Sequence, residues 1–304
     1  MKIFAGSSHP NFANKICDYL RVSLGEATLS KFPNGEIFFQ IEEDISGHSI
    51  YVVQSMHHPT NDHIMEMLIM IDAIRRAFAK RITAIIPYFG YARQDRKDNP
   101  GAPISSKLVA NLLVAAGTDR ILTMDLHSPQ IVGFFDIPTE QLSAVPSMIH
   151  AIQKHSNSPM TVCSPDIGGL KMASNYAQAL HYPMAIIMKR RFDATHVEAV
   201  DAMGPIEGHD ILLVDDIIET AETLIAAAKL LKSKGAHSIK ACIVHGLITD
   251  EGQKKLKHSG IEYLMTSNSV PMQWDLSFPV EQLNICPLFG EAIKRIHNNE
   301  NANN

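Results

Sequence analysis

No stretch of eighteen apolar residues occurs in this 304-residue chain, which gives no sequence reason to expect a membrane-spanning helix. Cysteine is scarce. Cys17, Cys163, Cys242 and Cys286 lie far apart with no C-x-x-C pair, and they read as buried thiols of a reducing compartment. Cationic excess is also missing: the net charge is -5, so there is no electrostatic reason to expect a nucleic acid or an anionic membrane as partner. Any anionic metabolite must then be held by local cations. The opening Met1-Lys2-Ile3-Phe4-Ala5-Gly6 has no cationic region followed by a long apolar stretch, and a cytoplasmic address is the expectation.

What the chain does have is hydrophobic content of 45% and enough length for two ordinary domains. Short apolar runs alternate with helical patterns from end to end: Lys2 to Ala5, Ile50 to Gln54, Ile82 to Pro87, Ile121 to Met124, Thr161 to Ser164, Met184 to Met188, Ile211 to Val214, Ile239 to Val244 and Tyr263 to Thr266 read as strands. Between them, Thr60-Asn61-Asp62 is expected to cap a helix through Arg76, and Lys107 to Ala116 reads as a helix ended by Gly117. The alternation predicts an α/β fold of mainly parallel sheets with flanking helices, whose ligands bind beyond the carboxyl ends of the strands. Apolar strand, polar loop, helix and a further strand ending in histidine recur in both halves, with His127 and His245 as the two histidines. The echo predicts two similar domains, 1–143 and 144–304.

The most informative stretch is Asp210 to Thr223. Ile211 to Val214 suits a strand buried on both faces, and Asp215 and Asp216 are expected in the loop that follows it. Glu219, Thr220, Ala221, Glu222 and Thr223 then lead into a helix closed by Gly235. A helix N-terminus with free amides and hydroxyls favours an anion, while paired acids can hold sugar hydroxyls or a magnesium ion. A phosphorylated sugar satisfies both halves.

Other polar clusters also fall at strand ends. Tyr88 to Arg96 gathers aromatic rings, a glycine and two arginines, a composition suited to polyphosphate. His127 and Asp166 follow two further strands, and Lys189-Arg190-Arg191 ends another. Phe32-Pro33-Asn34-Gly35-Glu36 is a turn whose aromatic, amide and carboxylate could meet a base, or form an ordinary hairpin. The polar stretch after Arg191 shows no clear periodicity, and the asparagine-rich end from Asn298 to Asn304 is expected to be disordered.

Taken together, ITAIIPYFGYARQDR (Ile82 to Arg96), GFFDIP (Gly133 to Pro138), SPDIGG (Ser164 to Gly169) and KRR (Lys189 to Arg191) are far more specific than any one loop. In this order they resemble ribose-phosphate pyrophosphokinase, the phosphoribosyl pyrophosphate synthetase family, over nearly the whole chain. The resemblance implies two phosphoribosyltransferase-like domains and transfer of the pyrophosphoryl group of Mg-ATP to the C1 hydroxyl of ribose 5-phosphate, with AMP as second product. It also implies that Phe32, Asn34 and Glu36 form an adenine pocket lent by a neighbouring subunit of a homo-oligomer, a dimer or hexamer, and that Arg93 and Gln94 meet the ATP phosphates. His127 and Asp166 are implied at Mg2+, and Asp215 and Asp216 on the ribose hydroxyls. Glu219 to Thr223 then surrounds the 5-phosphate, and Lys189 and Arg191 sit on a mobile loop over the reacting phosphorus.

The chain departs from the family pattern at defined positions. Glu219 and Glu222 replace an aspartate and a glycine of the phosphate loop, and a carboxylate facing a phosphate repels it. Asn34 stands where an aspartate is usual, adding a hydrogen-bond donor. Lys97 to Pro103 is short and poor in arginine, and Ser46 replaces an arginine, which predicts weak activation by inorganic phosphate. A phosphoribosyltransferase sharing the D-D-x-x-x-T loop, or a regulatory relative that binds nucleotide without catalysis, are the rival readings.

Overall fold

The computed structural model describes residues 1–155, 159–191, 197–272 and 278–298. It divides into two compact units, Met1–Ser143 with Ser269–Pro271 and Asn284–Asn304, and Ala144–Asn268 with Met272–Leu283. The first unit contains β1 (Lys2–Ala5), α1 (Pro10–Leu20), β2 (Ala27–Lys31), β3 (Ile37–Ile41), β4 (Ser49–Val53), α2 (Thr60–Arg76), β5 (Arg81–Ile86), α3 (Ser105–Ala116), β6 (Arg120–Met124) and β7 (Thr139–Leu142). The sheet runs β1-β4-β5-β6-β7, parallel throughout, while β2 and β3 form a separate antiparallel ribbon. Strands such as β4 and β5 are continuous apolar runs because both sheet faces are covered.

Helix α2 buries Ile64, Met67, Met70, Ile71 and Ile74 against this sheet, the spacing of one helical face. Its start differs from expectation. Pro59, not the Thr60-Asn61-Asp62 run, is the N-cap residue, and it makes no side-chain cap bond. Helix α3 ends as expected at Gly117, whose φ of 118° only glycine adopts readily and whose missing Cβ would lie 2.5 Å from Arg75 Cδ.

The second unit contains α4 (Val145–His155), β8 (Thr161–Ser164), α5 (Leu170–Leu180), β9 (Met184–Arg191), β10 (Val197–Met203), β11 (Asp210–Ile218), α6 (Glu222–Ser233), β12 (Ser238–Gly246), α7 (Asp250–Leu256), β13 (Tyr263–Ser267) and β14 (Val280–Leu283). Its sheet runs β10-β9-β8-β11-β12-β13-β14, and the β9–β10 pair is antiparallel on an otherwise parallel sheet. The stretch after Arg191 thus contains a strand that periodicity did not show, because β10 is a sheet edge whose alternation is interrupted by a bulge between Ala199 and Asp201. Residues 192–196 lie outside the described residues, as do 299–304.

The last helix, α8 (Cys286–His297), belongs to the first unit and not to the expected 144–304 domain. It lies on α1: Phe289 meets Phe12 edge-on with ring centroids 5.3 Å apart, and Tyr19 donates to Glu291 at 3.2 Å. Gly290 permits the approach, since a Cβ there would stand 2.4 Å from Tyr19 Cδ1. All four cysteines are buried and none forms a disulfide. Burial pushes the Cys17 thiol up to about 11 and those of Cys163 and Cys242 to about 12.

Candidate active site

In the second unit, β8 and β11 are neighbours and bring two acidic strand ends together. β11 does not stop at its apolar quartet. Asp215 pairs with Ile243 and Ile217 with His245, so Asp215 and Asp216 are strand residues and not loop residues as expected. The reason is that β12 runs on to Gly246 and keeps supplying ladder partners.

Asp215 Oδ1 accepts from the Asp216 N–H at 3.0 Å. On β8 the SPDIGG turn folds back on itself: Ser164 Oγ donates to the Asp166 carbonyl at 2.6 Å, and the Gly169 N–H donates to Asp166 Oδ1 at 3.1 Å. A Cβ on Gly169 would lie 2.7 Å from Ser164 Oγ and 4.0 Å from Asp215 Oδ1, so this glycine lets the turn close beside the acid of the next strand. Burial first, then the Asp216 and Asp166 charges, push the Asp215 carboxyl far above the usual carboxylate range, to about 8. Such a group calls for hydroxyl donors or a cation.

The loop after β11 turns at Ala221, a non-glycine residue with φ 61° that serves as N-cap of α6 without a side-chain cap bond. Thr220, Glu222 and Thr223 are exposed around that helix start. The Glu222 carboxylate leaves the loop altogether: it pairs with Lys255 Nζ of α7 at 3.1 Å, and the same ammonium pairs with Glu251 at 2.8 Å. Helix α7 braces the loop as well. The Thr249 N–H donates to the Glu219 carbonyl at 3.1 Å, and a Cβ on Gly252 would stand 2.7 Å from the Glu219 oxygen and 3.2 Å from the Thr220 carbonyl carbon.

Gly252→Ala therefore forces α7 or the loop to move. The expected result is a KM for the phosphorylated sugar raised about tenfold with a lowered melting temperature, because overpacking against backbone costs about 1–3 kcal/mol and displacement of a binding loop is felt in the bound geometry. Saturation kinetics beside a melting curve check it. A KM within twofold of wild type would show that α7 does not set the loop.

In the first unit, Phe32 to Glu36 is the turn joining β2 and β3. Asn34 Oδ1 accepts from the Glu36 N–H at 3.1 Å, Gly35 takes φ 89°, and Phe32 is half exposed while its ring meets Phe38 edge-on. Arg93 and Gln94 follow β5 and are exposed. Gln94 has a structural duty unforeseen in the sequence: its carbonyl accepts from the Ser106 N–H and Oγ at 3.2 and 3.0 Å, and its Oε1 from Ser105 Oγ at 2.6 Å, fixing the start of α3. His127 follows β6 and is exposed, two residues after Asp125, which takes φ 37° and accepts from Ser143 Oγ at 2.9 Å.

A polar network around the buried Gln54 and Glu66 escaped the sequence reading. Glu66 of α2 accepts from the Ser7 N–H, Ser7 Oγ and Gln54 Nε2 at 2.6, 2.8 and 2.6 Å, and Gln54 Oε1 accepts from Ser8 Oγ at 2.6 Å. It joins the carboxyl ends of β1 and β4, and Gly6 makes room for Gln54, whose Oε1 would otherwise be 2.3 Å from a Cβ. The only sequence signal was Gly6-Ser7-Ser8 directly after a strand.

Lys189 and Arg191 end β9 in register with Ala199 and Val197 of β10, which places their backbones in an antiparallel ribbon and not in the expected loop. Their side chains lie outside the described residues. As for magnesium, His127 and Asp166 belong to different units, and no group of three or more histidine, cysteine or acidic residues that could hold a metal occurs among the described residues. Asp166, Asp215 and Asp216 nevertheless suit a hard cation, since magnesium is commonly held by one or two carboxylates and takes its other ligands from water and substrate phosphates.

Two parallel-sheet units with polar groups gathered at the carboxyl strand ends define a phosphoribosyltransferase-like two-domain α/β protein. Family models for the N-terminal domain of ribose phosphate pyrophosphokinase and for the phosphoribosyl synthetase-associated domain match residues 1–117 and 149–304. The chain is 43% identical to the ribose-phosphate pyrophosphokinase of Wolinella succinogenes, covering 99% of this chain and 97% of that one. For the enzyme of the same name from Aquifex aeolicus the identity is 44%, covering 97% and 96%. The crystal structure of phosphoribosylpyrophosphate synthetase from Mycobacterium smegmatis superposes with a TM-score of 0.93 at 38% identity, covering 98% of this chain and 99% of that one. The chain belongs to the ribose-phosphate pyrophosphokinase family.

Proposed function

We propose that the protein transfers the pyrophosphoryl group of ATP to the C1 hydroxyl of ribose 5-phosphate, giving phosphoribosyl pyrophosphate and AMP. The observation that carries this reading is the Glu222–Lys255 pair: it draws the Glu222 carboxylate toward α7, and leaves the Ala221 turn and the first amides of α6 to receive a phosphate. Asp215 and Asp216 then accept the ribose hydroxyls, and Thr220 and Thr223 add hydroxyl donors to the 5-phosphate. Arg93 and Gln94 orient the polyphosphate, and Phe32 stacks on adenine. The turn supplies Asn34 and Glu36 to the base edge. Asn34 Oδ1 is already engaged by its own turn, so its amide N–H2 is the group free for recognition.

Magnesium, when bound, would supply charge neutralisation on the phosphate oxygens, and Asp166 of the second unit and His127 of the first are each proposed as a metal ligand. Lys189 and Arg191 stabilise the charge that spreads over the transferred group, so catalysis is mainly alignment plus cation placement and needs no covalent nucleophile. The adenine pocket belongs to a neighbouring subunit, so the active species is a homo-oligomer. A cytoplasmic setting accords with thiols that form no disulfide; no described helix is long and apolar enough to cross a membrane.

The deciding measurement is AMP release from ATP with ribose 5-phosphate as acceptor. Turnover only with a nucleobase and the activated sugar would make the protein a phosphoribosyltransferase. A silent wild type beside an active Glu222→Gly variant would make it a regulatory relative. Inorganic phosphate is expected to raise the rate less than about twofold, because the segment after Arg96 offers few cations and Arg96 is itself paired with Asp98 at 2.9 Å. A many-fold rise in a phosphate titration contradicts this.

A further inference from the structure

We infer that Lys255 is a positioning residue of the sugar-phosphate site, holding Glu222 away from the α6 N-terminus so that the substrate phosphate can take its place. The inference rests on the ribose 5-phosphate site proposed above and explains how a glutamate is tolerated in a phosphate loop. Glu222 is the first residue of α6. A carboxylate in the first turn of a helix is attracted by the same amides and dipole that would bind a phosphate. Left alone, Glu222 would therefore compete with the substrate for its own site. Lys255 offers it a different partner at 3.1 Å on the α7 side.

The placement of that ammonium is built in. Helix α7 starts at a true cap, where Thr249 Oγ1 accepts from the Gly252 N–H at 3.1 Å, and the same Thr249 binds the loop through the Glu219 carbonyl. Gly252 lets the helix backbone rest on the Glu219–Thr220 peptide. Lys255 follows one turn after Glu251, and their i,i+4 pair at 2.8 Å orients the long side chain toward α6. The three charged groups stand in a cleft of about 640 Å³ between α6 and α7 whose other lining residues include Ile225, Lys229 and His258. The loop amides and the lysine that clears them are thus fixed to one another through a single short helix.

The test is saturation kinetics with ribose 5-phosphate on Lys255→Met, Glu222→Gln and the double variant. Lys255→Met should raise KM for ribose 5-phosphate about threefold to fivefold, the range of an exposed ion pair, with kcat and KM for ATP within twofold, and the rise should shrink at high salt. Lys255→Arg should restore the wild-type KM. In the Glu222→Gln background, Lys255→Met should change nothing further. An equal rise in both backgrounds would overturn the inference, because Lys255 would then act without Glu222. An unchanged KM in Lys255→Met would overturn it as well, with the proposed site intact. A wild type that does not saturate with ribose 5-phosphate would remove the site and the inference together.

Discussion

Lys189→Ala is expected to lower kcat for AMP release by about a thousandfold while KM for both substrates stays within a few-fold. Pyrophosphoryl transfer passes through a loose transition state whose negative charge is spread over the oxygens of the moving group, so a cation placed there acts far more strongly on the transition state than on the bound substrates. Loss of one such cation in analogous phosphoryl transfer costs on the order of a thousandfold or more. Arg191→Ala should act in the same direction. A loss below tenfold in Lys189→Ala would place the lysine away from the reacting phosphorus. Mixing the Lys189→Ala protein with Phe32→Ala protein then examines the shared pocket: exchange of subunits should recover activity that neither variant has alone, and no recovery would assign the adenine pocket to the same subunit as Lys189.

Asp215→Asn is expected to move activity and stability in opposite directions. The variant should lose about tenfold to a hundredfold in kcat/KM for ribose 5-phosphate, the range of a charge-assisted hydrogen bond to a hydroxyl. In magnesium-free buffer at pH 8 it should melt on the order of a few degrees higher than wild type. The sign follows from the raised carboxyl. Its folded value, near 8, lies above the ordinary value of 3.8, so between these pH values the folded protein holds a proton that the unfolded chain has released. The contribution of Asp215 to stability is therefore fully present below about pH 4 and is lost as pH rises through 8, whereas the amide does not titrate. The two proteins should melt together near pH 4 and separate above it. A variant that melts lower at pH 8 would show that the ionised carboxylate is stabilised by its surroundings. Added magnesium should raise the melting temperature of wild type more than that of the variant, since the cation offsets the crowding of Asp166, Asp215 and Asp216.

Much of the architecture was legible because it depends on neighbours in sequence. Ile211 to Val214 and Ile82 to Ile86 are apolar runs that only a strand buried on both faces explains, and Gly117 marks a helix end by a backbone angle other residues avoid. The acids and cations at strand ends were equally visible, since in a parallel sheet the end of each strand is where a ligand can lie. Other features were hidden. The edge strand β10 lacks a clean alternation, and β11 extends through Asp215 and Asp216 only because β12 continues beside it. Gln94 reads as a phosphate ligand from its place in the motif, yet its carbonyl and Oε1 are engaged by Ser105 and Ser106 of α3.

By itself, the sequence determined the two-unit α/β plan, the strand-end positions of Asp166, Asp215, Arg93 and His127, and the family, because each follows from short patterns whose meaning is local. Only the tertiary structure decided where Glu222 points, that α8 returns to the first unit, and that Gly252 must be bare. Each of those turns on residues far apart in the chain: Lys255 lies 33 positions from Glu222, and Tyr19 lies 272 from its partner Glu291. A side chain with two electrostatically acceptable partners, the amides of its own helix or an ammonium on another, carries no local signal of which one it takes. That choice is made by packing, which sets α7 against the loop and brings Lys255 within reach of Glu222.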